Sequence, residues 1–511
     1  MAKFKTASIF SNHMVLQREK NIRVFGQGEN GKTVQVTLGE NQVSTIVELE
    51  NWMVILPPMK ATVGMLLRIV CEDSQLQFSN IAIGEVWLAG GQSNMELELQ
   101  NAKDGEEVIK SEKEPNVRFY YTPKNGYKDE HFYEDENHSC WSEWSQESAK
   151  SWSAVGYFFG RKLAKDLGVT VGVIGCNWGG TSASAWMSRE SLLEDRDLNT
   201  YLLEYDAAIT GKSIQKQVEE YDEYSVYAKA WDEKSEVLYK EFPNLSFLEV
   251  QEKIGACRWP GPLNCKNPYR PAGLYECMIQ RISPYSMRGV LWYQGESDDH
   301  KKNMYYKLFS KLISQWREEW QDVELPFLFV QLPMHRYLED EDNKSWCYLR
   351  EAQMDVFKTT KNTGIAVILD CGEFNEIHPK DKKPVGERLE LQALYHVYKK
   401  INEKNAFGPI YKEAIFYNDK IELSFDYAED GFEIKGETKE FEIAGANKEF
   451  KVAEIEIKNN KILVFAKGIK NPMYVRYCWT NYGNVTIYGK NGIPLSPFRT
   501  SKKDDLLPSN C

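Results

Sequence analysis

Residues 86–95, Val-Trp-Leu-Ala-Gly-Gly-Gln-Ser-Asn-Met, restrict the folds open to this chain more than any other stretch. Val86 to Ala89 form a short apolar run of the kind a buried parallel strand needs. Gly90 and Gly91 end it at once, and Gln92, Ser93, Asn94 and Met95 can open a helix. A strand, a glycine turn and a helix start place Ser93 at the carboxyl edge of a sheet, where open α/β folds bind ligands. Alone, the stretch reads equally well as a tight turn followed by a serine cap.

The pattern recurs downstream. Val155, Phe158, Phe159, Leu163 and Leu167 share one face, so a helix is predicted from Ser153 to Leu167, closed by Gly168. Val169 to Ile174 then reads as a strand running into Gly175-Cys-Asn-Trp-Gly-Gly, a second strand-to-glycine turn. Met287 to Tyr293 is a third strand, ending at Gln294-Gly295-Glu296-Ser297. An amphipathic helix with Tyr305, Leu308, Leu312 and Trp316 on one face follows. Strands are expected at 326–332 and 364–370, with helices at 346–358 and from Pro384 to about Lys400. Strands of parallel character alternating with helices predict an α/β fold with a three-layer, mostly parallel sheet.

Both flanks read as β. Residues 1–80 carry short alternating segments such as Thr33-Val-Gln-Val-Thr-Leu between glycine and asparagine turns. Residues 404–511 return to that pattern, with turns at Asp430-Gly431 and Asn491-Gly492. The expected organisation is an N-terminal β domain (1–80), a catalytic domain (81–403) and a C-terminal β-rich domain (404–511). Residues 187–275 form a helical and loop insertion in the middle unit. Residues 100–152, rich in Glu, Lys, Tyr and Trp, read as a loop.

Composition narrows the function. A formal net charge of -12 gives no basic footprint for nucleic acid and disfavours an anionic membrane surface. No apolar run approaches the roughly 20 residues that span a bilayer. The first residues lack a hydrophobic signal-peptide core, so the chain reads as cytoplasmic, though a mature form without its signal would read the same. The ten cysteines show no CxxC pair and no zinc spacing, and only Cys257, Cys265 and Cys277 cluster enough to raise a disulfide question. There is no HExxH, and Gly175-Cys-Asn-Trp-Gly-Gly has neither the dinucleotide nor the P-loop pattern.

Hydrolysis of an ester by a serine needs a base, an acid that orients the base, and donors for the oxyanion. Of seven histidines, His378 follows the predicted strand ending at Asp370, so it shares a sheet edge with Ser93. A triad draws its members from separate loops over one scaffold, which makes Ser93 and His378 stronger together than apart. Two carboxylates acting on a glycosidic bond are the competing arrangement, with Glu296 and Glu376 as the pair.

Gly91-Gln-Ser-Asn-Met95, Asn177-Trp-Gly-Gly-Thr-Ser182, Arg288-Gly-Val-Leu-Trp-Tyr-Gln-Gly-Glu-Ser297 and Glu376-Ile-His-Pro379 resemble the motif set of the sialate O-acetylesterases. These are a branch of the SGNH or GDSL-like hydrolases related to carbohydrate acetylesterases. Arg350-Glu-Ala-Gln353 and Gly492-Ile-Pro-Leu-Ser-Pro-Phe-Arg-Thr500 extend the likeness over nearly the whole chain. The resemblance implies a flavodoxin-like SGNH core with β-rich flanks, and an esterase that releases acetate from O-acetyl sugars such as 9-O-acetyl sialic acid, or from acetylxylan. It implies Ser93 as nucleophile and His378 as base, with oxyanion donors from Ser93, Gly179 or Gly180, and Gln294. No cofactor is implied, and the oligomeric state is left open.

The acid is the point of departure. SGNH enzymes commonly carry Asp three residues before the histidine, where this chain has Asn375, and the sialate esterase pattern Asp-Ile-His-Pro is here Glu376-Ile-His-Pro. Related acetylesterases use the Glu of Gln-Gly-Glu, which makes Glu296 the first candidate and Glu376 the second. Gln92, Asn94, Trp178, Tyr293 and Arg350 are the expected substrate-binding residues, with Trp186 and Trp292 as further aromatic walls and Arg288 as a second cation for a sugar carboxylate. A carbohydrate-binding protein with an inactive esterase core is the remaining alternative.

Overall fold

The computed structural model describes residues 4–136, 138–242 and 245–504. Its centre is a sheet built from β1 (Ser74–Gly91), β2 (Val117–Tyr121), β3 (Trp141–Glu143), β4 (Val171–Asn177), β5 (Gly289–Tyr293), β6 (Phe327–Gln331) and β7 (Thr363–Val367). Their spatial order is β3-β2-β4-β1-β5-β6-β7, and all neighbours are parallel except β3 with β2. Every residue of β4, β5, β6 and β7 is buried, so both faces of the sheet are covered.

The cover comes from α1 (Ala154–Leu167), α3 (Tyr305–Glu319), α4 (Ser345–Thr359) and α5 (Lys383–His396), with α2 (Ile214–Glu241) standing in the insertion. Trp87 meets Phe159 of α1 at a ring separation of 5.2 Å, and α5 packs on α1. On the opposite face Phe309 of α3 stacks on Trp292 and meets Phe329 edge-on. Helix α1 begins where Ser153 accepts a hydrogen bond from the Gly156 N–H and ends at left-handed Gly168.

The connections determine where a ligand can sit. After β1 the chain builds β2, β3 and β4 to one side, then crosses to build β5, β6 and β7 on the other. The carboxyl end of β1 therefore lies where the connections diverge, and that leaves a crevice.

Strand β1 also ties the flanks together. Its first half pairs antiparallel with Thr62–Cys71 and its second half runs parallel between β4 and β5. The expected boundary at residue 80 falls inside this strand, and N-terminal residues such as Val34, Val36 and Ile69 share one apolar core with the central sheet. The C-terminal strands gather a second core around Ile421, Ile462, Val475 and Phe498, which meets the central unit at Met334, Val367 and Leu369.

One segment departs from expectation. Residues 100–152, read as a loop, contain β2 and β3. Arg118 disguises β2 as surface, yet it is buried, with its guanidinium donating to the carbonyls of His13 (2.9 Å) and Asn80 (2.5 Å). Nine of the ten cysteines are described, all as free thiols, so Cys257, Cys265 and Cys277 form no disulfide; Cys511 lies outside the described residues.

The contact between α1 and α5 yields a stability prediction. Gly386 lets the helices approach, since a Cβ there would lie 2.7 Å from Phe158 Cβ. Beside it Glu390 is buried with neither carboxylate oxygen hydrogen-bonded, and burial, reinforced by Asp166, pushes its carboxyl up to about 8. The folded chain thus holds a proton that the unfolded chain releases near 4.5. The associated stability is complete below that pH and is lost as pH rises toward 8, a change on the order of a few kcal/mol. Glu390→Gln is expected to flatten this dependence and to melt above the parent at pH 9. Thermal melts at pH 5, 7 and 9 that run parallel for the two proteins would exclude it.

Candidate active site

The turn after β1 is fixed by its two neighbours. Gly91 has a φ of +135°, and a Cβ there would lie 2.1 Å from the Tyr293 carbonyl oxygen, so only glycine permits the approach of β5. The Trp178 N–H donates to Gly91 O and the Gln92 N–H to Tyr293 O, both at 3.1 Å. Ser93 then begins a four-residue helix, Ser93–Glu96. Its Oγ lies 2.8 Å from Nε2 of His378, which comes from the loop beyond β7.

The two candidate acids sit differently. Glu376 Oε1 accepts the His378 backbone N–H at 2.8 Å and lies 3.7 Å from Nδ1, with both side chains 43% exposed. Glu296 is buried and makes no hydrogen bond to His378; its Oε1 accepts from Asn94 Nδ2 at 2.6 Å, while Oε2 has no partner. Asn94 also donates to Ile377 O at 2.9 Å and accepts from Lys382 Nζ at 2.5 Å. Burial pushes the Glu296 carboxyl up and lowers the Lys382 ammonium to about 8, and the opposite charge of each moderates the other. Asn94, expected to bind substrate, is only 1% exposed and instead ties the backbone before His378 to this buried pair.

Desolvation lowers the His378 pKa, and the Glu376 carboxylate works against that. A carboxylate beside Nδ1 favours the tautomer with its proton there, leaving Nε2 to accept from the Ser93 hydroxyl. The arrangement can take a proton from a serine near neutral pH.

Three of the expected oxyanion donors surround Ser93. The Ser93 and Gly180 N–H groups carry no hydrogen bond among the described residues. Gly179 approaches closely enough that a Cβ would lie 3.2 Å from Ser93 Cβ, but its N–H donates to Glu96 Oε2 at 2.6 Å, and Glu96 in turn pairs with Lys124. Gln294 is not a donor to the crevice. It is buried, its Nε2 bonding to Thr181 O (3.1 Å) and Asp298 Oδ2 (2.7 Å), where it braces the Gly179–Gly180 loop from behind.

Ser93 and His378 open onto a cavity of about 1040 Å³. Gln92 lines it, its Oε1 accepting from the Gly295 and Ser297 N–H groups, and so does Trp178. Tyr293, Trp186 and Trp292 are core side chains instead, no more than 1% exposed. Arg288 pairs with buried Glu85. The aromatic walls come from the insertion: Trp231, Phe247, Trp259 and Tyr269. Their spacing in sequence carried no signal, because helix α2 and the irregular stretch after it converge only in three dimensions.

Arg350 is also removed from the substrate. It is 0% exposed and donates to the carbonyls of Trp346 (3.1 Å) and Thr480 (2.6 Å), joining α4 to the C-terminal region. Arg350→Met is expected to lower stability by about 2–4 kcal/mol, as loss of a buried hydrogen-bonding cation does. Denaturant unfolding would show the loss, and KM should be unchanged at a temperature where the variant is folded; a raised KM with unchanged stability would return Arg350 to the binding residues.

Among the described residues no group of His, Cys, Asp and Glu is arranged to hold a metal ion, and no helix is long and apolar enough to cross a membrane. A serine–histidine pair with free N–H donors at the end of a parallel strand is the apparatus of an ester hydrolase. The comparisons place it more closely. A family model described as carbohydrate esterase, sialic acid-specific acetylesterase, matches residues 263–380, a span that contains Glu296 and His378. The sialate O-acetylesterase of Mus musculus is 28% identical over 467 residues, which cover 83% of this chain and 79% of its own. The Homo sapiens sialate O-acetylesterase is 27% identical over 440 residues, 79% and 72% of the two chains. A crystal structure of a carbohydrate acetylesterase from Xanthomonas citri matches with a TM-score of 0.77 at 26% identity, over 98% of this chain and 99% of that one. By these matches the chain is similar to carbohydrate esterases, among them the relatives named sialate O-acetylesterases.

Proposed function

We propose that this protein hydrolyses O-acetyl esters on carbohydrate through an acetyl-Ser93 intermediate, on a flavodoxin-like SGNH core. The observation that carries the reading is the 2.8 Å Ser93 Oγ–His378 Nε2 pair at the floor of a cavity walled by aromatic side chains. In the first half-reaction His378 takes the Ser93 proton as Oγ bonds to the acetyl carbon. The proton then passes to the sugar oxygen as the ester bond breaks. In the second half, water gives a proton to His378 as its oxygen bonds to the acetyl carbon; the carbon–Oγ bond then breaks, His378 returns the proton to Ser93 Oγ, and acetate leaves. The Ser93 and Gly180 N–H groups are the donors best placed to meet the oxyanion. Gly179 joins them once Glu96 withdraws. Each donor of this kind is worth roughly 2.7–4 kcal/mol.

The names of the relatives suggest an O-acetylated sialate as substrate, and the sequence resemblance implies its 9-O-acetyl ester; acetylxylan and other acetylated glycans are the second reading. Acetate release from each, by wild type and Ser93→Ala, is the direct test. A folded wild type inactive on all of them, and on a small aryl acetate, would leave the carbohydrate-binding alternative.

A further inference from the structure

The cavity above Ser93 has a one-sided charge. Glu96, Glu204, Asp232, Glu296 and Asp299 line it, and among the described residues no lysine or arginine does. The nearest cations are already committed: Lys124 to Glu96, Lys301 to Glu204 at 2.7 Å and to the Tyr201 ring, and Arg258 to the face of Tyr227. Arg336 lines an adjoining small cleft that shares Glu296, Asp299, Tyr337 and Ile377 with the cavity and also holds Asp340 and Glu341. Lys382 is buried behind Asn94 and faces Glu296 rather than the cavity. Arg288 and Arg350, the two cations expected to meet a sugar carboxylate, are held in the interior by other partners.

Against this charge stands a broad apolar wall. Trp178, Trp231, Phe247, Trp259 and Tyr269 face the same space, and Trp259 is 59% exposed at its edge. At about 1040 Å³ the cavity sits at the upper end of the roughly 300–1000 Å³ usual for small-ligand pockets, so it has room for more than one sugar ring. Aromatic faces receive the C–H faces of pyranose rings, while carboxylates at the margin accept hydrogen bonds from neutral hydroxyls. A carboxylate on the substrate would enter a cavity whose described lining residues supply like charges and neither lysine nor arginine.

We infer that the site selects acetylated neutral oligosaccharides over sugars that carry a carboxylate, with Asp232 and Asp299 as the excluding groups and the insertion's aromatics as the holding surface. The inference rests on the esterase reading and narrows its substrate class. Asp232 agrees with it: burial, with neighbouring Glu236, pushes its carboxyl up.

The test compares kcat/KM on acetylated xylo-oligosaccharide and on 9-O-acetyl-N-acetylneuraminic acid, with 4-nitrophenyl acetate as a measure of the esterase itself. The neutral substrate is expected to be favoured at least tenfold. Added salt should raise kcat/KM for the anionic substrate and leave the neutral one unchanged, because screening relieves only charge repulsion. Glu204→Gln, which leaves the Lys301 ammonium beside the cavity unpaired, should narrow the ratio severalfold, and Trp259→Ala should raise KM for the oligosaccharide severalfold. Equal or better use of the sialic acid ester, without salt dependence, overturns the inference while the esterase reading stands. Loss of all three activities in folded wild type overturns the esterase reading itself.

Discussion

Ser93→Ala should reduce acetate release by a factor of about 10⁴–10⁶, leaving the little that oxyanion donors and binding alone provide. His378→Ala should come close to the same floor, and the double variant should lie no lower than either single one, because the two side chains act as one unit. The reason is geometric. Ser93 Oγ has its hydrogen-bonding base at 2.8 Å, and the turn carrying it is held from β4 and β5 by the Trp178 and Gln92 N–H bonds. Removing the oxygen leaves that turn intact, since both bonds are made by the backbone. Single-turnover assays with an acetylated sugar, beside melts that verify folding, separate the outcomes. Acetate release within tenfold of wild type in Ser93→Ala would overturn the serine mechanism.

Much of the scaffold was legible because its signals are local. Helix α1 announces itself by one apolar face and by Gly168, and β4 to β7 by short apolar runs bounded by glycine or charge. Ser93 follows such a run directly, and His378 lies in the loop that follows another. What escaped the sequence was long-range. Arg118 lies inside β2 because backbone carbonyls of His13 and Asn80, distant in sequence, satisfy its guanidinium. Arg350 and Tyr293, read as substrate contacts from their place in motifs, are buried supports. A motif marks residues that belong near a site, and does not say which of them face the cavity. The walls of that cavity, Trp231 and Trp259 among them, belong to an insertion whose composition reads only as acidic and aromatic.

The third triad member is where motif and geometry part most clearly, and kinetics can decide between them. Glu376→Gln should lower kcat/KM about 10- to 100-fold, less than the ~10⁴ seen when a fully buried orienting aspartate becomes an amide. Glu376 is half exposed and stands 3.7 Å from Nδ1, so water shares its role. The pH profile gives a second readout. Activity requires neutral His378, so kcat/KM should rise with pH through the histidine's lowered pKa and level off below the ordinary imidazole range. The Glu376 carboxylate raises that pKa; its loss should move the rising limb to lower pH even as the plateau falls. Glu296→Gln predicts otherwise. The amide oxygen can still accept from Asn94 Nδ2, while Lys382 loses the charge that partly sustains its protonation. Activity should then fall less than tenfold, and the limb should move only toward higher pH, because the Lys382 charge that lowers the His378 pKa is reduced. A large loss in Glu296→Gln that moves the limb to lower pH, with Glu376→Gln near wild type, would make Glu296 the acid. His378 would then have to turn during catalysis, because the Asn94 amide stands at the carboxylate that Nδ1 would need to reach.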